Sequence, residues 1–259
     1  MVIVMMLKEK VAIITGAASG IGKATAVLMV EEGAKVIAAD IDIKGAKDLA
    51  AKFGENVIPF QVDVSKPDEV SNMVDFAIDQ WNGLDILFNN AGLVENDSSV
   101  TELNPEVLDK MLEVNIKGVV WGCRYAIPAM IERGGGSIIN NASVLGLSGM
   151  RKMAAYCATK GAVVSLTRQV ALDYASFKIR VNCVCPGGVL TEKRLQYHQT
   201  MPDPVSSLNE ANMRFPLGRF VSPEDVASTV LFLAGEASSF ITGVALPVDG
   251  GCLVNYNGI

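Results

Sequence analysis

Apolar and polar positions along this chain alternate between two periods. Short runs in which nearly every position is apolar predict strands: VAIIT at 11–15, KVIAAD at 35–40, NVIPFQVD at 56–63 and LDILFNN at 84–90. SIINNAS at 137–143, IRVNCVCP at 179–186 and VALPVD at 244–249 continue the series. Between them lie stretches with helical spacing. One runs from Gly20 to about Glu32 and is ended by Gly33; another covers 42–53. A third opens at Ser65 in an S-x-x-E-like start with Pro67 in its first turn. A long helix is expected over 104–133, opened by Asn104-Pro105 and closed by Gly134-Gly135-Gly136; others cover 152–176 and begin at Pro223. Continuous apolar strands separated by helices indicate an α/β fold, a parallel sheet of about seven strands covered on both faces. The stretch 187–222 follows neither period and reads as a loop long enough to be a lid. No repeat or linker divides the chain, so 1–259 reads as a single domain.

Composition narrows the picture. At 259 residues, half of them hydrophobic and 19% charged, the chain can bury a large core. A net charge of −6 and a pI near 4.9 argue against a nucleic-acid or anionic-membrane surface. The five cysteines (Cys123, Cys157, Cys183, Cys185, Cys252) form no Cys-x-x-Cys, which points away from disulfide scaffolds and zinc sites and toward a reducing, cytoplasmic setting. Cys157 reads as a small buried residue of a packed helix. The lone histidine, His198, lacks a partner for metal binding and is expected at the surface; no metal is expected. The apolar start MVIVMMLKEK lacks the basic region of a signal peptide and is too short to span a bilayer, and Met5 or Met6 are alternative starts.

Two patterns carry chemistry. Thr15-Gly16-Ala17-Ala18-Ser19-Gly20-Ile21-Gly22 joins the first strand to the first helix. Glycines there allow a tight turn and close approach of the backbone to a pyrophosphate, and the helix N-terminus offers free N–H donors. Asp40 ends the second strand, 18 residues beyond Gly22. Its carboxylate suits the two hydroxyls of an adenosine ribose and repels a 2′-phosphate. No Arg or Lys stands in the turn or directly after Asp40, which favours NAD over NADP. The second pattern is Tyr156-Cys157-Ala158-Thr159-Lys160. Tyr156 and Lys160, at i and i+4, share a helix face. A phenol titrates near pH ~10 and is a poor base at neutrality; a close cation favours the phenolate and lowers that value by ~1–3 units. The pair is therefore an acid/base device.

The chain resembles the short-chain dehydrogenase/reductase family in its short, single-domain branch. The likeness covers about residues 8–251 and rests on ordered motifs: TGAASGIG, Asp63-Val64, Asn89-Asn90-Ala91-Gly92, Asn115, Ser143, YCATK and Pro186-Gly187. It implies a three-layer, Rossmann-type, doubly wound parallel sheet. It also implies that Gly16, Ser19, Gly20, Ile21 and Gly22 frame the cofactor phosphates. Asp40, followed by Ile41, would hold the adenosine ribose, and Asp63 and Val64 would flank the adenine. Asn89, Ala91 and Gly92 would line the trough after strand four, and Pro186, Gly187, Val189 and Thr191 the nicotinamide end. Thr191 reads equally as a helix N-cap, and a helix or turn cap is the alternative reading of Ser143. By the resemblance Ser143 bonds the substrate oxygen, Tyr156 exchanges the proton, Lys160 binds the nicotinamide ribose and biases Tyr156 toward phenolate, and Asn115 helps hold a relay water. One departure stands out: strand five reads IINNAS, where relatives more often carry Ser-Ser or Ala-Ser after the asparagine.

The implied reaction is reversible oxidation of a secondary alcohol to a ketone with NAD. Alternatives are an NADPH-dependent carbonyl or 3-oxoacyl reductase, and a non-catalytic NAD-binding sensor. Leu145, Leu147, Met150, Met153, Met201, Leu208 and Met213 would suit an apolar or cyclic alcohol, or would simply close the lid on the core. The resemblance implies a homotetramer, with the helices at 104–133 and 152–176 paired across one axis, and the last strand and Pro223 helix across another. The C-terminal CLVNYNGI would reach a neighbour or fray.

Overall fold

The computed structural model describes residues 5–255; Met1–Val4 of the apolar start and the last four residues of CLVNYNGI lie outside it. A seven-stranded, wholly parallel sheet runs in the order β3-β2-β1-β4-β5-β6-β7. Its strands are β1 (Val11–Thr15), β2 (Lys35–Asp40), β3 (Val57–Gln61), β4 (Ile86–Asn89), β5 (Gly136–Asn141), β6 (Ile179–Pro186) and β7 (Ala245–Val248). Successive strand residues point to opposite faces, so each apolar strand feeds two cores. Val11 and Ile13 of β1 join one core with α3 (Pro67–Trp81), α5 (Gly118–Arg133) and α6 (Ala154–Tyr174). Ala12 and Ile14 join the other with α1 (Gly20–Glu31), α2 (Ile43–Ala50) and α9 (Pro223–Ala234). Sequence order reverses between β1 and β4, and the carboxyl ends of both strands open onto that crevice, where doubly wound sheets take their ligands.

Most expected elements appear within a few residues of their ranges; three elements and one side chain differ. The helix expected over 104–133 is α4 (Pro105–Met111), a six-residue π turn (Leu112–Lys117) and α5. The wider turn holds Asn115 fully buried, with both polar ends of its amide on the Leu93 backbone. The stretch 187–222 is not a bare loop. It carries α7 (Glu192–Gln199), whose N-cap Thr191 accepts the Arg194 N–H, and α8 (Pro204–Asn212), capped by Asp203. His198, expected at the surface, is buried at 8% exposure. Its Nδ1 lies 2.9 Å from Ser207 Oγ of α8 and its ring stands edge-on to Phe220, so packing of α7 on α8 draws it inward. Ser65 does not begin α3; Lys66 is the N-cap, and the Ser65 hydroxyl donates to Asp63 instead.

A buried polar chain ties the sheet to α6. Asn89 Nδ2 donates to Asn140 Oδ1 at 2.9 Å, and Asn140 Nδ2 donates to Thr167 Oγ1 at 2.9 Å. Asn140→Ala strands the Asn89 amide in the core and leaves a cavity. The expected loss is about 1–3 kcal/mol, read as a lower urea midpoint, with Thr167→Val costing less because it keeps the side-chain volume and leaves a single donor, Asn140 Nδ2, unpaired.

Candidate active site

The glycine turn is built by three contacts. Gly16 and Gly20 adopt φ of +68° and +52°, which a side chain would strain. A Cβ on Gly22 would lie 2.0 Å from the Gly16 carbonyl, so only glycine lets α1 start against the turn. Asn90, next to a residue singled out from the sequence, clasps the turn: its Nδ2 donates to the carbonyls of Thr15 (2.9 Å) and Gly16 (3.2 Å). The N-cap of α1, Ser19, makes no side-chain cap bond, and the first turn of α1 holds no acid. No side chain of α1 itself therefore offsets the positive end of the helix. Asp40 is pinned beside it, Oδ2 accepting the Ala18 N–H and Oδ1 the Asp42 N–H, both at 2.9 Å.

A cavity of about 390 Å³ opens past the end of β2, lined by Ile41, Phe60, Gln61, Asp63, Glu69 and Asn72. Ile41 and Asp63 were expected here. Val64 is not part of it, being buried in the core against Gly118. The Asn89 side chain likewise turns into the core, and Ala91 packs against the same core.

A second cavity, about 200 Å³, brings Ser143 and Tyr156 together with Ile21, Pro186, Gly187, Val189, Thr191 and Arg194. Ser143 lies just past β5, where its Oγ accepts the Leu145 N–H at 3.1 Å. That bond uses a lone pair, so the cap reading holds and the hydroxyl proton is still able to donate. Tyr156 sits in the first turn of α6. Met153, the N-cap, offers no side-chain bond. Asp97 caps the helix instead, Oδ1 accepting the Ala155 N–H at 3.1 Å and Oδ2 the Tyr156 N–H at 2.8 Å. No sequence pattern marks this cap, because it arrives from the loop after β4.

Lys160 is buried at 4% exposure, with Nζ 5.7 Å from the centre of the Tyr156 ring, on the same helix face. Nζ donates to the Asn141 carbonyl at 2.7 Å. Gly92 lies against it: an added Cβ would stand 3.4 Å from Lys160 Nζ and 3.2 Å from Asn115 Oδ1. The Asn115 amide is engaged at both ends, accepting from Leu93 N–H and donating to Leu93 C=O and Thr159 Oγ1. It fixes the loop beside Lys160, and its Oδ1 keeps a second lone pair.

Burial governs the electrostatics. It pushes the Tyr156 phenol up, against the lowering by the Ser143 hydroxyl and the Arg194 charge. It pulls the Lys160 ammonium down to about 8. The sequence suggested a phenol lowered by its lysine. In the desolvated pocket each group instead leans to its neutral form, since removing water disfavours both charges.

These residues fit a dinucleotide. The N-terminus of α1 carries no side-chain cap, and the Asn141 Oδ1 in the cavity wall is a buried acceptor without a partner. Among the described residues no group of three His, Cys, Asp or Glu could hold a metal, and no helix is long and apolar enough to cross a membrane.

A doubly wound parallel sheet with a glycine turn at the switch point and a Ser–Tyr–Lys set beside it defines a class, the oxidoreductases that exchange hydride with a nicotinamide dinucleotide. The chain belongs to the short-chain dehydrogenase/reductase family. The family model described as enoyl-(acyl carrier protein) reductase matches residues 16–252. Over 257 residues the chain is 38% identical to the 3-oxoacyl-[acyl-carrier-protein] reductase of Thermotoga maritima, covering 96% of this chain and 100% of the relative. It is 36% identical over 247 residues to the cyclohexanol dehydrogenase of an Acinetobacter species, covering 93% and 94%. The crystal structure of 3-ketoacyl-(acyl-carrier-protein) reductase from Brucella melitensis complexed with NADH matches with a TM-score of 0.86 at 35% identity, covering 95% of this chain and 99% of that one. The protein is thus an oxidoreductase acting on CH–OH groups with a nicotinamide cofactor. The reading as a non-catalytic sensor finds no support in these relatives.

Proposed function

We propose that the enzyme interconverts a secondary alcohol and its ketone with NAD, using Tyr156 as the general acid/base. The observation that carries this is the shared cavity wall of Ser143 and Tyr156, with the Lys160 ammonium reaching the same side of the Tyr156 ring. When bound, the nicotinamide accepts the hydride from the carbinol carbon. Ser143 donates its free proton to the substrate oxygen and fixes its position. Tyr156 takes the hydroxyl proton. Lys160, while charged, favours the phenolate against burial and binds the nicotinamide ribose. Asn115 holds the Leu93 loop and Gly92 beside Lys160. Gly16, Ser19, Gly20, Ile21 and Gly22 receive the pyrophosphate, Asp40 and Ile41 the ribose, Asp63 the adenine, and Pro186, Gly187, Val189 and Thr191 the nicotinamide.

NAD is favoured by Asp40, whose carboxylate stands beside the glycine turn, with no Arg or Lys in the turn or directly after Asp40 to receive a 2′-phosphate. Asp40→Asn is expected to lower the preference for NAD over NADP by ~10–100-fold, the worth of a charged hydrogen bond and a relieved repulsion. Rates with the two cofactors on one substrate measure it. A second reading, an NADPH-dependent 3-oxoacyl reductase, is favoured by the Thermotoga relative. A panel of cyclic and acyclic alcohols and 3-oxoacyl thioesters, scored by NADH and NADPH absorbance, separates the two. The Acinetobacter relative supports a cyclic alcohol. Of the apolar residues expected to line a substrate pocket, Leu208 packs into the core, and Leu147, Met150 and Met213 lie exposed outside the cavity. Leu172 on α6, Phe232 on α9 and Phe240 after it are exposed, as the proposed homotetramer faces require. Five free thiols support a reducing, cytoplasmic setting.

A further inference from the structure

We propose that the substrate carries an anionic group, a carboxylate or sulfonate, and that Arg194 binds it. This rests on the alcohol dehydrogenase reading above and adds the charge of the substrate. Arg194 is the one charged side chain lining the cavity that holds Ser143 and Tyr156. It comes from α7, a helix whose polar sequence gave no sign of reaching the site.

The guanidinium is seated. Its Cζ lies 5.6 Å from the centre of the Phe220 ring, and Phe220 is itself held at 6% exposure against Phe215. Gly188 leaves the notch it occupies, since a Cβ there would stand 2.8 Å from Nη1. The ring contact and the Gly188 notch hold the guanidinium in place, and its N–H groups, which make no hydrogen bond among the described residues, remain available for a planar anion. Among the described residues no carboxylate lies within ion-pair distance of it; the neighbouring Glu192 pairs with Lys23 and the nearby Asp225 with Arg219. Arg194 is exposed, so an anion arriving from solvent can reach it. An uncompensated, oriented fork beside a reacting phenol selects a substrate whose anion lies a few atoms from its carbinol. The pyrophosphate of the cofactor is the other anion in reach. The glycine turn already offers that group the open end of α1; Ile21 of the turn lines the same cavity and Thr191 lies against Gly20, so NAD affinity is the readout that separates the two anions.

The test compares matched alcohols, 4-hydroxycyclohexanecarboxylate against cyclohexanol and 3-hydroxybutyrate against 2-butanol, in the wild type, Arg194→Met and Arg194→Lys. NAD affinity is followed separately by quenching of tryptophan fluorescence. The expected result is a wild-type preference for the acids, a ~10–100-fold fall in the acid-to-neutral ratio of kcat/KM in Arg194→Met carried mainly by KM, and partial recovery in Arg194→Lys. An equal loss on acid and neutral alcohols together with weaker NAD binding overturns the proposal and assigns Arg194 to the pyrophosphate. An unchanged ratio also overturns it. Absence of turnover on every alcohol in the wild type, with NAD still bound, would instead sink the dehydrogenase reading itself.

Discussion

Replacement of Tyr156 by Phe is expected to lower turnover by ~10²–10⁴-fold, the usual worth of a positioned acid/base group, with NAD affinity nearly unchanged. The substitution removes one oxygen and little else. The ring keeps its place beside Lys160, and the cap on α6 survives because Asp97 bonds the backbone N–H of residues 155 and 156, not the phenol. Secondary structure and thermal unfolding should therefore match the parent. The loss belongs to the proton step, so it appears in kcat with KM little altered. Steady-state rates on the best alcohol, with a parallel NAD titration, decide the matter. Turnover within a few-fold of the parent would remove Tyr156 from the chemistry and leave Ser143 or a water to take the proton.

The fold was legible because each strand is apolar on both faces. Runs such as VAIIT and IRVNCVCP have no other place than the middle of a covered parallel sheet, and the glycines that end or begin helices mark the boundaries. The Ser143, Tyr156 and Lys160 set was legible for a different reason: an ordered run of motifs preserves it. What stayed hidden depends on contacts between distant segments. Asp97 caps α6 across 58 residues or more, and no local spacing reports such a bond. Asn90 reads like its neighbour Asn89 in sequence, yet one clasps the glycine turn and the other is sunk in the core. α7, EKRLQYHQ, lacks an apolar stripe, so neither the helix nor the inward turn of His198 and Arg194 could be read from periodicity. The Asp203-Pro204 pair that opens α8 was a usable start signal. The π turn at Leu112–Lys117 keeps helical spacing on either side, and only the demand of Leu93 for both ends of the Asn115 amide accounts for it.

Lys160→Met is expected to lose ~10²–10³-fold in turnover, as for removal of an oriented charge from a desolvated site, and to change how stability depends on pH. The second effect is the more telling. Burial holds the Lys160 pKa at about 8 in the folded chain, against 10.5 for an ordinary lysine. Between these values the unfolded chain binds more protons than the folded one, so unfolding free energy rises with pH across that window. Below about 8 the cost of keeping a buried ammonium is present in full; toward 10.5 it has gone. The size is roughly 3 kcal/mol at most, from the free energy of a one-unit shift, and smaller if the pocket relaxes. Methionine fills the same space without a charge, so the variant should lack this rise. It also forfeits the bond to the Asn141 carbonyl, which lowers its stability by a pH-independent amount. The buried Tyr156 phenol, raised above its ordinary value, makes both proteins lose stability at still higher pH, and the difference between them isolates Lys160. Urea midpoints for parent and variant at intervals from pH 7 to about 10 supply the comparison, over the range in which an unperturbed lysine stays charged. Parallel curves would mean that the ammonium titrates as though in water. The desolvated Tyr–Lys pair on which the proposed proton transfer depends would then not exist in the folded enzyme.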